Sequence, residues 1–216
     1  MRNRSNPVRS MVTLVAVLIL ASLGTQPCGV PGEELKLDHA ISFDGPDGER
    51  LMKLVPRGER VKLEDANGEL VVRLRLEAGR LRIERAPREL VGFIVPGAED
   101  GNELRVLDSR GGLVLYRLFR EPDGDLRLMS RWNKTLHKAK KRDYGFKTVD
   151  AADQVQTRVR VKGSKLSIRD AAGKTVLSTE DALPPAAAAC FTLSHLSIEY
   201  QAGLALGVIY WGLDGH

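Results

Sequence analysis

Aromatic residues make up only 5% of this 216-residue chain, and it has just two cysteines. A core so poor in large rings has to be filled by Leu, Val, Ile and Ala, and two thiols cannot build a disulfide scaffold. Helical spacing of apolar residues is missing from Glu34 to Thr179, which excludes a helix bundle there. The common catalytic signatures are also missing: there is no Gly-x-Ser-x-Gly elbow, no His-Glu-x-x-His and no Gly-x-x-x-x-Gly-Lys-Ser/Thr loop. The four histidines, His39, His137, His195 and His216, stand singly, without cysteine or carboxylate at ligand spacing. Neither a catalytic residue, a metal site nor a cofactor is therefore expected.

Acids are absent before Glu33. Basic Met1–Arg9 leads into apolar Met11–Ala21 and then into small residues, the order of a secretory signal peptide over residues 1–24 with cleavage after Gly24. A short linker, 25–33, and one domain, 34–216, follow. The apolar run is too short to span a bilayer, and an uncleaved leader acting as an anchor is the alternative. Both readings place the body outside the cytoplasm, whether secreted, periplasmic or membrane-anchored in the cell envelope. The formal charge of +5 falls by three without Arg2, Arg4 and Arg9, so no nucleic-acid partner is expected.

Cys28, just after the leader and before Gly29, resembles the lipid-acceptor cysteine of bacterial lipoproteins, although Thr25 and Pro27 depart from the usual residues at those places. Acylation of Cys28 and plain secretion both stay open. Without the lipid, a Cys28–Cys190 disulfide becomes available in an oxidising compartment. Cys190 itself lies in an Ala-rich stretch and is expected to be a small buried hydrophobe.

From Glu34 to Thr179 the chain alternates apolar with charged residues, as in Leu70-Val-Val-Arg-Leu-Arg-Leu76 and Leu126-Arg-Leu-Met129. That period predicts strands with one wet and one buried face, and the intervening turn signals give about a dozen of them. Three segments share one form, a strand followed by Asp-x-x-Gly and another strand: Val61–Val71, Leu104–Val114 and Leu166–Val176. In a tight turn Asp65, Asp108 and Asp170 accept backbone hydrogen bonds while Gly68, Gly111 and Gly173 take positive φ. Each aspartate stands alone, without the dense spacing of a calcium loop.

After Asp181 the pattern changes. Pro184-Pro185 starts a short helix through Phe191, and Ser197 caps a second one over about 198–212 with Glu199 in its first turn. The second carries no charge from Gln201 to Leu213, so it must be surrounded on every face. At about 22 Å it is too short to cross a bilayer but long enough to thread a small barrel. Gly203 and Gly207, four apart, suit either close approach by strands or a membrane-dimerisation face.

The segment Arg131, Trp132, Lys134, Lys138, Lys140, Lys141 and Arg142 contains no acid. It is read two ways. As an anion-binding patch it would hold anionic lipid headgroups or an envelope polymer, with Trp132 at the interface. As a solvated connection between hairpins it would have Trp132 packed on the barrel.

Strands in meander order, the Asp-x-x-Gly hairpins, Lys141-Arg-Asp-Tyr-Gly-Phe-Lys147 and the ending Leu193–Leu213 together resemble the tubby-like group, including LURP-one-related and scramblase-like proteins, and small bacterial envelope lipoproteins of that design. The resemblance implies a mainly β, roughly 12-stranded antiparallel barrel closed around an apolar C-terminal helix. It also implies binding, of phosphoinositides or membranes, more than catalysis, but none of the group's ligand contacts maps onto residues here. The expectation is a non-enzymatic extracytoplasmic binding module for an anionic membrane surface, an envelope polymer or a protein partner. A scaffold domain of an envelope complex is the alternative, and an unrecognised hydrolase the weaker one.

Overall fold

The protein's structure, a computed structural model, describes residues 37–97 and 101–214, so the expected signal peptide and linker, with Cys28, lie outside the described residues. The described residues belong to one compact unit, Glu33–His216. Its strands are β1 (Ile41–Asp44), β2 (Arg50–Arg57), β3 (Arg60–Asp65), β4 (Leu70–Glu77), β5 (Arg80–Arg85), β6 (Glu89–Pro96) and β7 (Glu103–Leu107). They continue as β8 (Val114–Arg120), β9 (Leu126–Ser130), β10 (Thr135–Arg142), β11 (Gly145–Asp150), β12 (Val155–Lys162), β13 (Lys165–Asp170) and β14 (Thr175–Thr179). Each strand pairs with its neighbours in sequence, and β14 returns to β1, giving a closed antiparallel barrel.

There are fourteen strands where the turn signals gave about a dozen. The reason lies in turns that do their work without glycine. Asn133 and Asp153 both sit at φ 62°, the left-handed conformation that asparagine and aspartate tolerate. Their amides bond the carbonyls of Ser130 and Asp150, as Gly68, Gly111 and Gly173 bond Asp65, Asp108 and Asp170. With Gly48 on Gly45 and Gly124 on Glu121, this turn bond recurs seven times among the described residues, and only three copies carry the Asp-x-x-Gly spelling. The three aspartates do accept turn amides, for example Asn67 and Glu69 onto Asp65 Oδ1 at 2.9 and 2.8 Å. The polar groups of these turns are thus met within the turns themselves.

The two rims differ. All seven hairpins that run from an odd to an even strand carry a register shift, such as Leu63/Glu64 and Ile168/Arg169. The six at the opposite rim pair without a shift. Bulges bend and twist strands, so a ring of them at one rim supplies the curvature that closes the sheet. Closure at the seam is thin: Asp44 faces Ser178 as the single described pair, and Ser42 N–H donates to Asp181 Oδ2 at 2.7 Å.

Alternate strand residues point inward onto two helices, α1 (Pro185–Cys190) and α2 (Ile198–Tyr210). α1 packs on β11 and β12, and α2 on β4 to β7 and on α1. Seven consecutive residues of α2, Ala202–Val208, are buried, so every face of that helix is covered. Each large apolar side chain fully buried this way contributes about 1.5–3 kcal/mol before entropy. The two small residues receive the wall. A Cβ on Gly203 would stand 2.7 Å from Ile83 Cδ1, and one on Gly207 2.9 Å from Leu104 Cδ1. Strand approach, not a helix dimer, is thus what these glycines permit.

Polar anchors hold the helical pair in register. Tyr200 donates to the Val91 carbonyl at 3.0 Å, Gln201 Nε2 to the Leu193 and Leu196 carbonyls at 3.1 Å, and Thr148 and Thr192 share a 2.7 Å hydrogen bond. Ser197 stands at the N-cap but makes no side-chain bond to the helix backbone. Buried Glu199 is met instead by Arg85 at 2.5 Å. Burial pushes the Glu199 carboxyl up, but hydrogen bonds from Ser197 and Arg85 outweigh it and hold it below the usual range. Cys190 is a fully buried free thiol, pushed well up by burial, as expected of a small hydrophobe in a core.

Candidate anion-binding surface

The basic segment picked out in the sequence is a strand, not a connection. Arg131–Lys134 form the β9–β10 turn at the bulged rim, and Thr135–Arg142 run down the wall as β10 to the opposite rim. Period two sends Lys138 and Lys140 outward and buries His137 and Ala139. An eight-residue strand is about 25 Å long, so Arg131 and Arg142 lie at opposite ends and do not form one patch.

Neighbouring strands bring acids that the linear reading could not place. Glu121 reaches Lys138 at 3.8 Å and Arg127 at 3.1 Å, and Asp153 holds Lys140 at 2.5 Å. The Lys140 hydrogen bond keeps the Asp153 carboxyl below its ordinary range. Asp125 accepts the Lys141 amide, and Arg142 donates to the Lys141 carbonyl, both at 2.6 Å. Glu121, Asp123 and Asp125 bring three carboxylates within 4.8 Å of one another. All three are engaged, since Asp123 also accepts the Asp125 amide at 3.0 Å.

The turn end is different. Trp132 is 73% exposed, the highest value among the exposed large hydrophobic side chains described. The Arg131 guanidinium lies 4.1 Å from its ring centre, and among the described residues neither Arg131 nor Lys134 is paired with a carboxylate. The expectation that Trp132 packs on the barrel is therefore not met. Asn133 supplies the left-handed residue that projects this tip.

Lys140 also takes part in a pattern invisible along the chain. Register sets Lys140 opposite Lys147, Lys147 opposite Arg158 and Arg158 opposite Arg169. Four cations from four strands thus make one outward row, only the first of which was singled out in the sequence.

Two histidines that stand 58 residues apart also meet. His195 Nδ1 lies 2.6 Å from His137 Nε2, with Ser194 Oγ 3.4 Å from the same nitrogen, where the turn between α1 and α2 emerges at the bulged rim. Among the described residues no carboxylate is hydrogen-bonded to His137, so a serine triad is not assembled. Burial, and secondarily the facing His195, push the His137 pKa down from its ordinary 6.5, against smaller opposing effects of the Val149 backbone and Asp150. A histidine depressed in the fold binds fewer protons than in the unfolded chain. Its stabilisation is therefore complete above the unfolded value and is lost as pH falls below it. The urea midpoint of the wild type should drop more between pH 7.5 and pH 5 than that of His137→Gln, and equal drops would remove this role.

These elements define a class: a closed fourteen-stranded antiparallel barrel whose lumen holds a helical pair and whose described lysines and arginines all lie outside the buried core. No protein-family model and no curated protein matches the chain. Among solved structures it is similar to a protein from Arabidopsis thaliana, at 13% identity and a TM-score of 0.39, over 65% of this chain and 80% of that one. It is also similar to BamB from Moraxella catarrhalis, at 13% identity and a TM-score of 0.25, over 59% of this chain and 69% of that one. Likenesses this distant carry no functional information.

Proposed function

We propose that the protein is a non-enzymatic binding module of the extracytoplasmic envelope that docks on an anionic membrane surface through the β9–β10 tip. The exposed Trp132, set between Arg131 and Lys134 on a turn that leaves the barrel, is the observation that carries this reading. An indole settles at the headgroup level of a bilayer, and each nearby cation gains about 1 kcal/mol from an anionic leaflet. No helix among the described residues is long and apolar enough to cross a membrane. The tubby-like kinship belongs to the same proposal. A barrel wrapped around a C-terminal helix supports it, while fourteen strands are more than that likeness implied. The signal peptide and acylation of Cys28 complete the proposal by holding the domain in the envelope.

Vesicle co-sedimentation at two salt concentrations tests it. Anionic vesicles should bind at least about tenfold better than neutral ones at low salt, and the preference should shrink as salt rises. Trp132→Ala, and separately Arg131→Gln with Lys134→Gln, should each weaken binding by roughly tenfold. Equal binding to both vesicle types would end the membrane reading.

A further inference from the structure

A second concentration of charge lies on the outer wall of β2 to β5. Register places Arg57 opposite Arg60, Arg60 opposite Arg75 and Arg75 opposite Arg82, so four guanidinium groups form one line across four strands. Beside it, Lys62 stands opposite Arg73. Directly opposed residues share a face of the sheet. The alternate residues Val61, Leu63, Val72, Leu74, Leu81 and Ile83 fill the core, so these six cations face outward.

Two carboxylates answer the six cations. Glu84 accepts from Arg82 at 2.8 Å and from Arg73 at 3.3 Å, and Glu77 meets Arg75 at 3.0 Å. Burial pushes the Glu84 carboxyl up, but the two arginines outweigh it and hold it below its ordinary range. Arg57, Arg60 and Lys62 have no carboxylate partner among the described residues. Like charges directly opposed on a sheet cost stability, so folding gains nothing from this line.

The side chains enclose two joined clefts. One, of about 370 Å³, is walled by Arg57, Arg60, Lys62 and Arg73 with no acid among them. The other, of about 440 Å³, shares Arg60 and Arg73 and continues to Arg75 and Arg82, with Glu77 and Glu84. Guanidinium forks bind phosphate oxygens in pairs, and a line crossing three strand spacings of about 4.8 Å is longer than one phosphate can engage.

We propose that these clefts bind a linear polyanion carrying successive phosphate groups, one seated among Arg57, Arg60, Lys62 and Arg73 and the next toward Arg75 and Arg82. A flat bilayer touches a convex barrel wall along few strands, whereas a flexible polymer lies across them. The site goes beyond the membrane reading, since it occupies other strands and reaches the rim opposite Trp132.

The test uses the full chain with long-chain inorganic polyphosphate as the probe and orthophosphate as the single-anion comparison, followed by calorimetry at two salt concentrations. Polyphosphate should bind about 100-fold more tightly than orthophosphate and lose affinity steeply with salt. Arg60→Gln with Lys62→Gln should weaken it at least about tenfold while leaving the melting temperature unchanged or higher, since opposed like charges are removed. Arg57→Gln, beside the tight turn, gives a second variant should the first fold poorly. The charge-matched control Lys162→Gln with Lys174→Gln should bind as the wild type does. Equal affinity for orthophosphate, unchanged binding by the Arg60/Lys62 variant, or equal loss in the control would overturn the proposal. Displacement of polyphosphate by anionic vesicles from a Trp132→Ala protein would reassign the clefts to a lipid surface and overturn the polymer.

Discussion

Gly92→Ala should cost the fold about 3 kcal/mol or more, although the change adds one methyl group. Gly92 lies in β6 opposite Ile83, and a Cβ there would stand 2.2 Å from the Leu107 carbonyl oxygen and 3.1 Å from Tyr200 Oη. A side chain can turn aside, but a backbone carbonyl in a paired strand cannot. Relief requires opening the β6–β7 ladder at Phe93↔Leu107, and Tyr200, whose hydroxyl bonds the Val91 carbonyl, must give by a few tenths of an ångström as well. For a domain of this size the penalty amounts to a fall of roughly 10 °C in melting temperature. A calorimetric melt within about 2 °C of the wild type would mean that the Leu107 carbonyl does not stand against this glycine.

Leu206→Asp should abolish the folded state, whereas Leu206→Met should cost under about 1.5 kcal/mol. Leu206 is fully buried in α2, and no Lys or Arg occurs among the buried residues described. A carboxylate there loses the leucine's packing, worth about 2–5 kcal/mol, and enters an apolar lumen with nothing to pair it. Their combined cost reaches the 5–15 kcal/mol range of whole-domain stability. Soluble yield and urea unfolding of the two variants give the comparison. A soluble, cooperatively unfolding Leu206→Asp protein would mean that this helix face is wet.

The candidate sites were less legible than the fold because proximity across a barrel is set by register, which no local spacing records. Trp132 and its flanking cations stood together in the chain and still stand together in space. Lys138 and Lys140 also stood in that run, yet Glu121 and Asp153 arrive from other hairpins to partner them. The line from Arg57 to Arg82 draws on four strands, each with ordinary alternation of its own. His137 and His195 looked solitary for the same reason.

Alternation of apolar and charged residues was enough to determine a meander of two-faced strands, and the uncharged tail was enough to require a covered helix. Both follow from local periodicity, because a buried face must repeat with the period of its own backbone. The number of strands, the ring of bulges that closes them and the charges brought face to face were decided only by the tertiary structure. Asn133 and Asp153 can stand in for glycine without announcing a turn, and a one-residue shift in pairing changes every neighbour across the sheet.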